Sequence, residues 1–451
     1  MTEILALLQT IAPLVSKTTL RQMRQVIFGM LAASGRITML GLSRWTETGG
    51  SYRTLQRFYY SELPWQAMHW LLFRLKFLKP DDEYILAGDE VVASKAGKTT
   101  FGLDQFFCGI QQRVISGLSF FTLSLVHVQE ARSYPVQMTQ VVRSAEEKAA
   151  SQAKKEAKKK APKTAEKRKR GRPKGSKNKS KTEAALNPEL LHIQTALKSL
   201  LETIVAYLSL TYVVMDGHFG NSPSAGMVRQ TGLHLISKMR SDAALYLPFA
   251  GEHKKRGPKP RQGAKIDVRA MNDQYLKETT VADNLRTDID QGQFCNKEFD
   301  FLLNVVIMVK TNIKTSAQAH VILFSTDLEQ LYDKIIKFYS LRFQIEFNFR
   351  NAKQYWALED FMNVKETAVT NAANLSLFMT NFSAALAEPF RKQNPDFSVL
   401  DLKSHYRGYR YASETIKMLP QKPDGILLAE IFQQIARLGA IHPPFLPLTS
   451  P

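Results

Sequence analysis

Residues 337–356, KFYSLRFQIEFNFRNAKQYW, decide how the chain is read. Phe338, Leu341, Ile345, Phe349, Ala352 and Trp356 recur at spacings of three and four, the signature of one buried helix stripe. Beside it runs a second helical stripe: Tyr339, Arg342, Glu346, Arg350 and Lys353. One acid there stands among three cations and a phenol. By itself that face reads as solvated, with Arg342 and Glu346 as an i,i+4 ion pair.

Two aspartates upstream change that reading. Asp89 follows the apolar run YILAG and Asp216 follows TYVVM, so each is expected at the end of a buried strand. Carboxylates in such places are costly unless solvated, paired or bound to a cation. Magnesium takes carboxylate oxygens together with water and substrate phosphate. Two such ions activate an attacking oxygen and stabilise a leaving one.

Working outward, residues 1–78 read as helical, from LRQMRQVIFGMLAA to WQAMHWLLFRLKFL. The Gly-Gly pair at 49–50 followed by Ser51 marks a helix end and a new N-cap. Arg44, Arg53 and Arg57 with Trp45, Tyr52 and Tyr59 fit either a helical DNA reader or a small bundle with a charged face. From residue 83 the pattern turns to strands, with EYILAGDEVVAS, QFFCGIQQRVIS and LSFFTLSLVHV as three antiparallel neighbours. A helix at about 188–208, the strand to Asp216, a helix near 223–230 and the strand LHLISKMR follow. Then come further strands, the strand HVILFST, one long helix over about 327–354, and a mainly helical remainder. The sum is a mixed α/β layered domain.

The formal net charge of the 451 residues is +20. Lys148–Lys181 carries +14 of it, from 16 Lys and Arg against two Glu, which leaves +6 for the rest. A polyanionic partner is implied. A membrane-surface role is disfavoured, because 148–182 has almost no large apolar residues and no run is long enough to span a bilayer. Cys108 and Cys295, far apart in sequence and without a CxxC or Cys/His cluster, argue against a zinc site or disulfide framework and read as reduced thiols. No signal peptide pattern opens the chain, so a cytoplasmic, nucleoid-associated protein is expected.

Tyr339-x2-Arg342-x3-Glu346-x6-Lys353 resembles the Y-R-E-K signature of the IS-four family of insertion-sequence transposases. GDEVVASKAGKTTFG, MDGHFGN, SKMRSDAALY and KKRGPKPRQGAK are similar to that family too, as are the intervals of 127 and 130 residues between the three acids. The resemblance covers roughly residues 20–390. It implies an RNase H-like catalytic core interrupted by a β-rich insertion, preceded by a helical N-terminal domain. The boundaries expected are 1–78 for the helical DNA-binding domain and 79–247 for the first part of the core. The insertion is expected at 248–320, the second part of the core at 321–395 and a helical C-terminal region at 396–451. It further implies Asp89, Asp216 and Glu346 as catalytic ligands of two Mg²⁺ or Mn²⁺ ions. Tyr339, Arg342 and Lys353, with Arg350 on the same face, would bind DNA phosphates. The reaction implied is cleavage at transposon ends followed by 3′-hydroxyl strand transfer into target DNA, by a homodimer assembled on terminal inverted repeats. Some relatives stabilise a flipped base with a Trp of the insertion. Here Trp45, Trp65, Trp70 and Trp356 all lie elsewhere, which leaves Phe294, Phe299 or Tyr275. Glu90 is expected on the opposite strand face from Asp89.

Lys169–Gly175, with Arg170 and Arg172, resembles an AT-hook inside a disordered basic insertion at 148–182. A second basic stretch holds Lys255, Arg256 and Lys259. His218 reads as a loop residue near the site, and Lys95 and Lys98 as substrate contacts or a solvated turn. The rival readings are an RNase H-like DNA nuclease or domesticated relative that does not transpose, and a non-enzymatic architectural binder of AT-rich DNA.

Overall fold

The computed structural model describes residues 2–47, 49–109, 111–149, 153, 156, 186–252 and 260–443. The basic 148–182 segment with Arg170 and Arg172, and Lys255, Arg256 and Lys259, lie outside the described residues, apart from isolated positions. The chain divides into two compact units, one of residues 1–140, 199–209 and 343–451, the other of residues 141–198 and 210–342.

The first unit opens with helices α1 (Thr2–Leu8), α2 (Lys17–Ala32), α3 (Met39–Ser43), α4 (Tyr52–Tyr59) and α5 (Trp65–Lys76). Their starts are chemically marked: the hydroxyls of Ser16 and Ser51 accept from the backbone N–H of Thr19 and Thr54. Gly49 turns the chain at φ +91°, and a Cβ on Gly50 would lie 2.3 Å from that of Thr46, so the Gly-Gly pair is required by both conformation and space.

Strands β1 (Tyr84–Ser94), β2 (Asp104–Cys108), β3 (Arg113–His127) and β4 (Arg132–Val141) follow. β3 pairs antiparallel with β1, and also with β2 and β4. The second expected strand is split, because β2 ends at Cys108 and Val114–Ser116 belong to β3. β4 was not marked by its sequence, since Pro135 interrupts it.

The same unit ends with α9 (Gln344–Tyr355), α10 (Glu366–Arg391), α11 (Val399–Met418) and α12 (Gly425–Ile435). Most of α10 is buried, including its asparagines. The amides of Asn371 and Asn381 answer groups that would otherwise be stranded. Asn371 Oδ1 accepts from Trp65 Nε1 at 2.7 Å, and its Nδ2 donates to the carbonyls of Tyr59 and Ser61 at 2.9 and 2.7 Å. Asn381 Nδ2 reaches the carbonyl of Pro135 at 2.9 Å, tying α10 to β4. Tyr59 itself is buried beneath this contact and raised in pKa by desolvation, so it belongs to the core and not to a DNA-reading face.

The second unit contains α6 (Pro188–Ile204) in its first part, β5 (Tyr212–Met215), α7 (Ser222–Arg229), β6 (His234–Lys238), β7 (Leu245–Pro248) and β8 (Gln262–Lys265). After these come β9 (Leu276–Ala282), β10 (Leu285–Asn296), β11 (Leu303–Asn312), β12 (Gln318–Ser325) and α8 (Tyr332–Leu341). The strand order is β5-β6-β12-β11-β10-β7-β8, with β9 also on β10. β5 and β6 are parallel and β6, β12, β11 and β10 antiparallel in turn, so the sheet is mixed. Phe294 and Phe299 are 0% and 6% exposed in its core, so neither is presented to a flipped base; Tyr275 is half-buried with its ring against Phe294.

The long helix expected over 327–354 is two helices, α8 and α9, separated at Arg342 and Phe343. Both residues keep right-handed helical dihedrals, but Glu346 N–H bonds the carbonyl of Phe343, three residues back, at 3.1 Å. No Gly or Pro marks the interruption. The apolar stripe is nevertheless as read, for Phe338, Ile345, Ala352 and Trp356 are 0% exposed and Leu341 and Phe349 under 9%.

Asn371→Leu should therefore strand an indole N–H and two carbonyls, at a cost of about 2–4 kcal/mol. Urea unfolding of the variant against the parent protein measures it, and an unchanged midpoint would refute the bridging role.

Candidate active site

In the first unit, Asp89 and Glu346 border one cleft of about 670 Å³. Asp89 lies within β1, not at its end: the strand continues to Ser94, and Asp89 stands opposite Thr122 of β3. Tyr84–Gly88 before it are buried, whereas Asp89 and Glu90 are half-buried, so the acid comes where the strand leaves the core. Asp89 Oδ1 accepts from the Glu90 N–H at 2.8 Å. Directly opposed residues share a face, and the buried Thr122 hydroxyl has no hydrogen-bond partner.

Glu346 sits in the first turn of α9, where the helix N-terminus favours an anion. Ile345, Phe349 and Ala352 on the buried stripe fix which way it faces. Lys353, two turns on, fixes it further. Its Nζ donates to the Val92 carbonyl of β1 at 2.7 Å and meets Glu359 Oε1 at 2.8 Å, with 21% of its side chain exposed. Lys353 therefore ties the helix of Glu346 to the strand of Asp89. Arg350 is exposed, its guanidinium 4.8 Å from the centre of the Phe347 ring, and it also lines the cleft.

Two lysines expected in a substrate-contacting or solvated turn divide. Lys95 Nζ donates to the carbonyls of Glu359 and Phe361 at 2.9 and 2.8 Å and lies 3.5 Å over the Phe361 ring. Burial draws its pKa down to about 8 against the pull of Asp360 and Glu359. It is an internal tie, while Lys98 is exposed.

Asp216 lies in the second unit, just after β5. Its Oδ1 accepts from His218 N–H at 3.0 Å, and its carbonyl accepts from Ser237 Oγ at 2.7 Å. His218 Nε2 is 3.2 Å from Glu189 Oε1, a hydrogen bond that holds the Glu189 carboxyl below its usual range. Tyr339 and Arg342 are also in this unit, both half-buried. Among the described residues no group of three His, Cys, Asp or Glu is assembled for a metal ion. The carboxylate oxygens of Asp89 and Glu346 on one cleft suit a hard divalent cation, which prefers such ligands with water.

Glu90 was expected to face away, yet it borders the same cleft, with Oε2 accepting from Ser119 Oγ at 3.1 Å. Phe107 and Phe343, 60% and 50% exposed, also line it. An aromatic beside a turn and another at a helix junction carry no sequence pattern, and strand alternation alone could not find Glu90.

A family described as DDE superfamily endonuclease matches residues 10–293, which include Asp89 and Asp216 and end before Glu346. No curated protein gives a significant match.

The loop after Asp216 offers a test independent of chemistry. A Cβ on Gly220 would lie 2.2 Å from the Lys238 carbonyl, a backbone atom that cannot turn aside. Gly220→Ala should destabilise by about 1–3 kcal/mol through overpacking. Chemical unfolding would show the loss, and parental stability would mean that the loop tolerates displacement.

Proposed function

The chain belongs to the DDE superfamily endonucleases, and from that premise we propose that it is a DNA transposase with an RNase H-like core. It cleaves strands at transposon ends and joins the freed 3′-hydroxyl to target DNA. The observation that carries the reading is the shared cleft of Asp89 and Glu346, held by Lys353 between α9 and β1.

Asp89, Asp216 and Glu346 are the proposed ligands of two Mg²⁺ or Mn²⁺ ions. Such ions, when bound, lower the pKa of an attacking water or hydroxyl and neutralise charge on the phosphate. The remaining roles belong to side chains. Exposed Arg350 contacts a substrate phosphate at the cleft, braced by the Phe347 ring. Tyr339 and Arg342 bind phosphates of the transposon end. Lys353, with two of its three donors occupied by Val92 and Glu359, chiefly positions Glu346. A helix turned by one residue would swing Glu346 by about 100°, away from β1. The basic Arg170–Arg172 and Lys255–Lys259 segments add sequence-independent, salt-sensitive affinity. Two ends require two active sites, hence a homodimer on DNA. No helix of the described residues is long and apolar enough to cross a membrane.

The test is cleavage of DNA carrying the element's own ends in Mg²⁺ or Mn²⁺. Glu346→Ala and Asp89→Ala should bind those ends like the parent and lose at least 100-fold in cleavage. Lys353→Met should cleave at least tenfold more slowly, with binding nearly unchanged. Cleavage without joined products would establish a nuclease in place of a transposase. Equal cleavage by parent and Glu346→Ala would sink the assignment.

A further inference from the structure

A second cavity of the first unit, about 180 Å³, is lined by Gln344, Phe347, Asn348 and Asn351 of α9 and not by Glu346. Arg132 and Arg391 line it, together with Ser133, Asn348, Asn351 and Thr380, and no carboxylate does. Two cations facing one small space are unfavourable unless something answers them. On their other side both arginines line an adjoining cavity of about 300 Å³ together with Glu130 and Glu388; Glu130 is bonded there to Lys79, and the charge of Arg132 adds to what holds the Glu130 carboxyl below the usual range.

Both guanidinium groups are fixed. Arg132 lies 5.7 Å over the Phe77 ring and 5.1 Å over that of Tyr134. Arg391 Nε donates to the Phe397 carbonyl at 3.0 Å, which leaves its terminal nitrogens for another acceptor. Neither arginine makes a salt bridge among the described residues. Asn348 Nδ2 donates to Ser133 Oγ at 2.8 Å, so the serine's own proton remains to be given. Gln344, on the same wall, opens α9, whose N-terminal end favours negative charge.

We propose that this cavity is a phosphate-binding site, in which Arg132 and Arg391 grip a tetrahedral oxyanion and Ser133 and Asn351 complete its hydrogen bonds. Two guanidinium forks suit phosphate geometry. Burial and the charge of Arg132 both lower the pKa of Arg391. Phe347 borders both this cavity and the cleft of Asp89 and Glu346, so a bound phosphate would brace the catalytic helix from behind. The phosphate is either a phosphodiester of bound DNA or free phosphate.

The test uses the full chain with a chelator present and no DNA, so it does not depend on cleavage. Inorganic phosphate is titrated calorimetrically, and thermal midpoints are compared in phosphate and chloride at equal ionic strength. Phosphate should bind and raise the midpoint. Arg132→Gln and Arg391→Gln should weaken phosphate binding at least tenfold and remove most of the rise in midpoint that phosphate gives the parent. Asn351→Leu, which occupies the cavity without touching the fold's arginine contacts, provides a second route if either substitution misfolds. Displacement of phosphate by a short duplex identifies the ligand as backbone phosphodiester, and simultaneous binding identifies free phosphate. Equal midpoints in the two salts with no heat of binding would overturn the proposal.

Discussion

The contact of the Lys353 ammonium with the Val92 carbonyl is the constraint on which the cleft depends. A helix packed on a sheet through an apolar stripe can still rotate or slide by a fraction of a turn, because burial is non-directional. A charge-assisted hydrogen bond is directional and contributes about 1.5–3 kcal/mol. Here it is anchored on backbone, which does not change rotamer. Glu359 completes the lysine's shell and offsets part of its desolvation. The two carboxylates thus inherit their relation from a residue that need not touch substrate.

The interior of the same unit follows a similar rule with neutral groups. Asn371 joins the indole of Trp65 to two carbonyls at the end of α4, and Asn381 joins α10 to β4. Lys403 does the same with charge: its Nζ donates to the Met30 carbonyl at 2.6 Å near the end of α2, and burial lowers its pKa to about 7. Apolar contacts supply the bulk of the cohesion, while these few polar side chains decide which helix meets which.

Much of this was legible. The three-four spacing from Phe338 to Trp356 gave the buried stripe, and Ser51 after Gly49-Gly50 gave a cap. The strand runs gave β1, β3 and β5, with Asp89 inside the first and Asp216 just after the last. What escaped has one physical origin. Propensity and periodicity report on neighbours in sequence, whereas the tighter turn at Phe343, the occupation of Lys95 and Lys353 by carbonyls, and the exposure of Glu90 to the cleft depend on partners hundreds of residues away or on local hydrogen bonding that no residue type marks. Asp89 was placed at a strand end because charge usually stops a buried strand. It sits mid-strand because only the first half of β1 is wholly enclosed.

The charge of the cleft argues further. Asp89, Glu90, Glu346 and Glu359 line it against Arg350 and Lys353, four acids to two bases, in a chain of net +20. A surplus of negative charge is a poor reception for a phosphodiester, and Lys353 is already committed to Val92 and Glu359. On the proposed reading the surplus has a purpose, since divalent cations would reverse the sign of the cleft before DNA enters it. The basic segments elsewhere in the sequence would then gather DNA without metal, and the cleft would admit it only with metal. Binding and cleavage would therefore respond differently to salt and to chelation: salt would weaken capture through the phosphates, whereas chelation would spare capture and abolish chemistry. A purely architectural DNA binder has no need of such a division, nor of two carboxylates fixed against each other by a lysine whose own charge is turned inward.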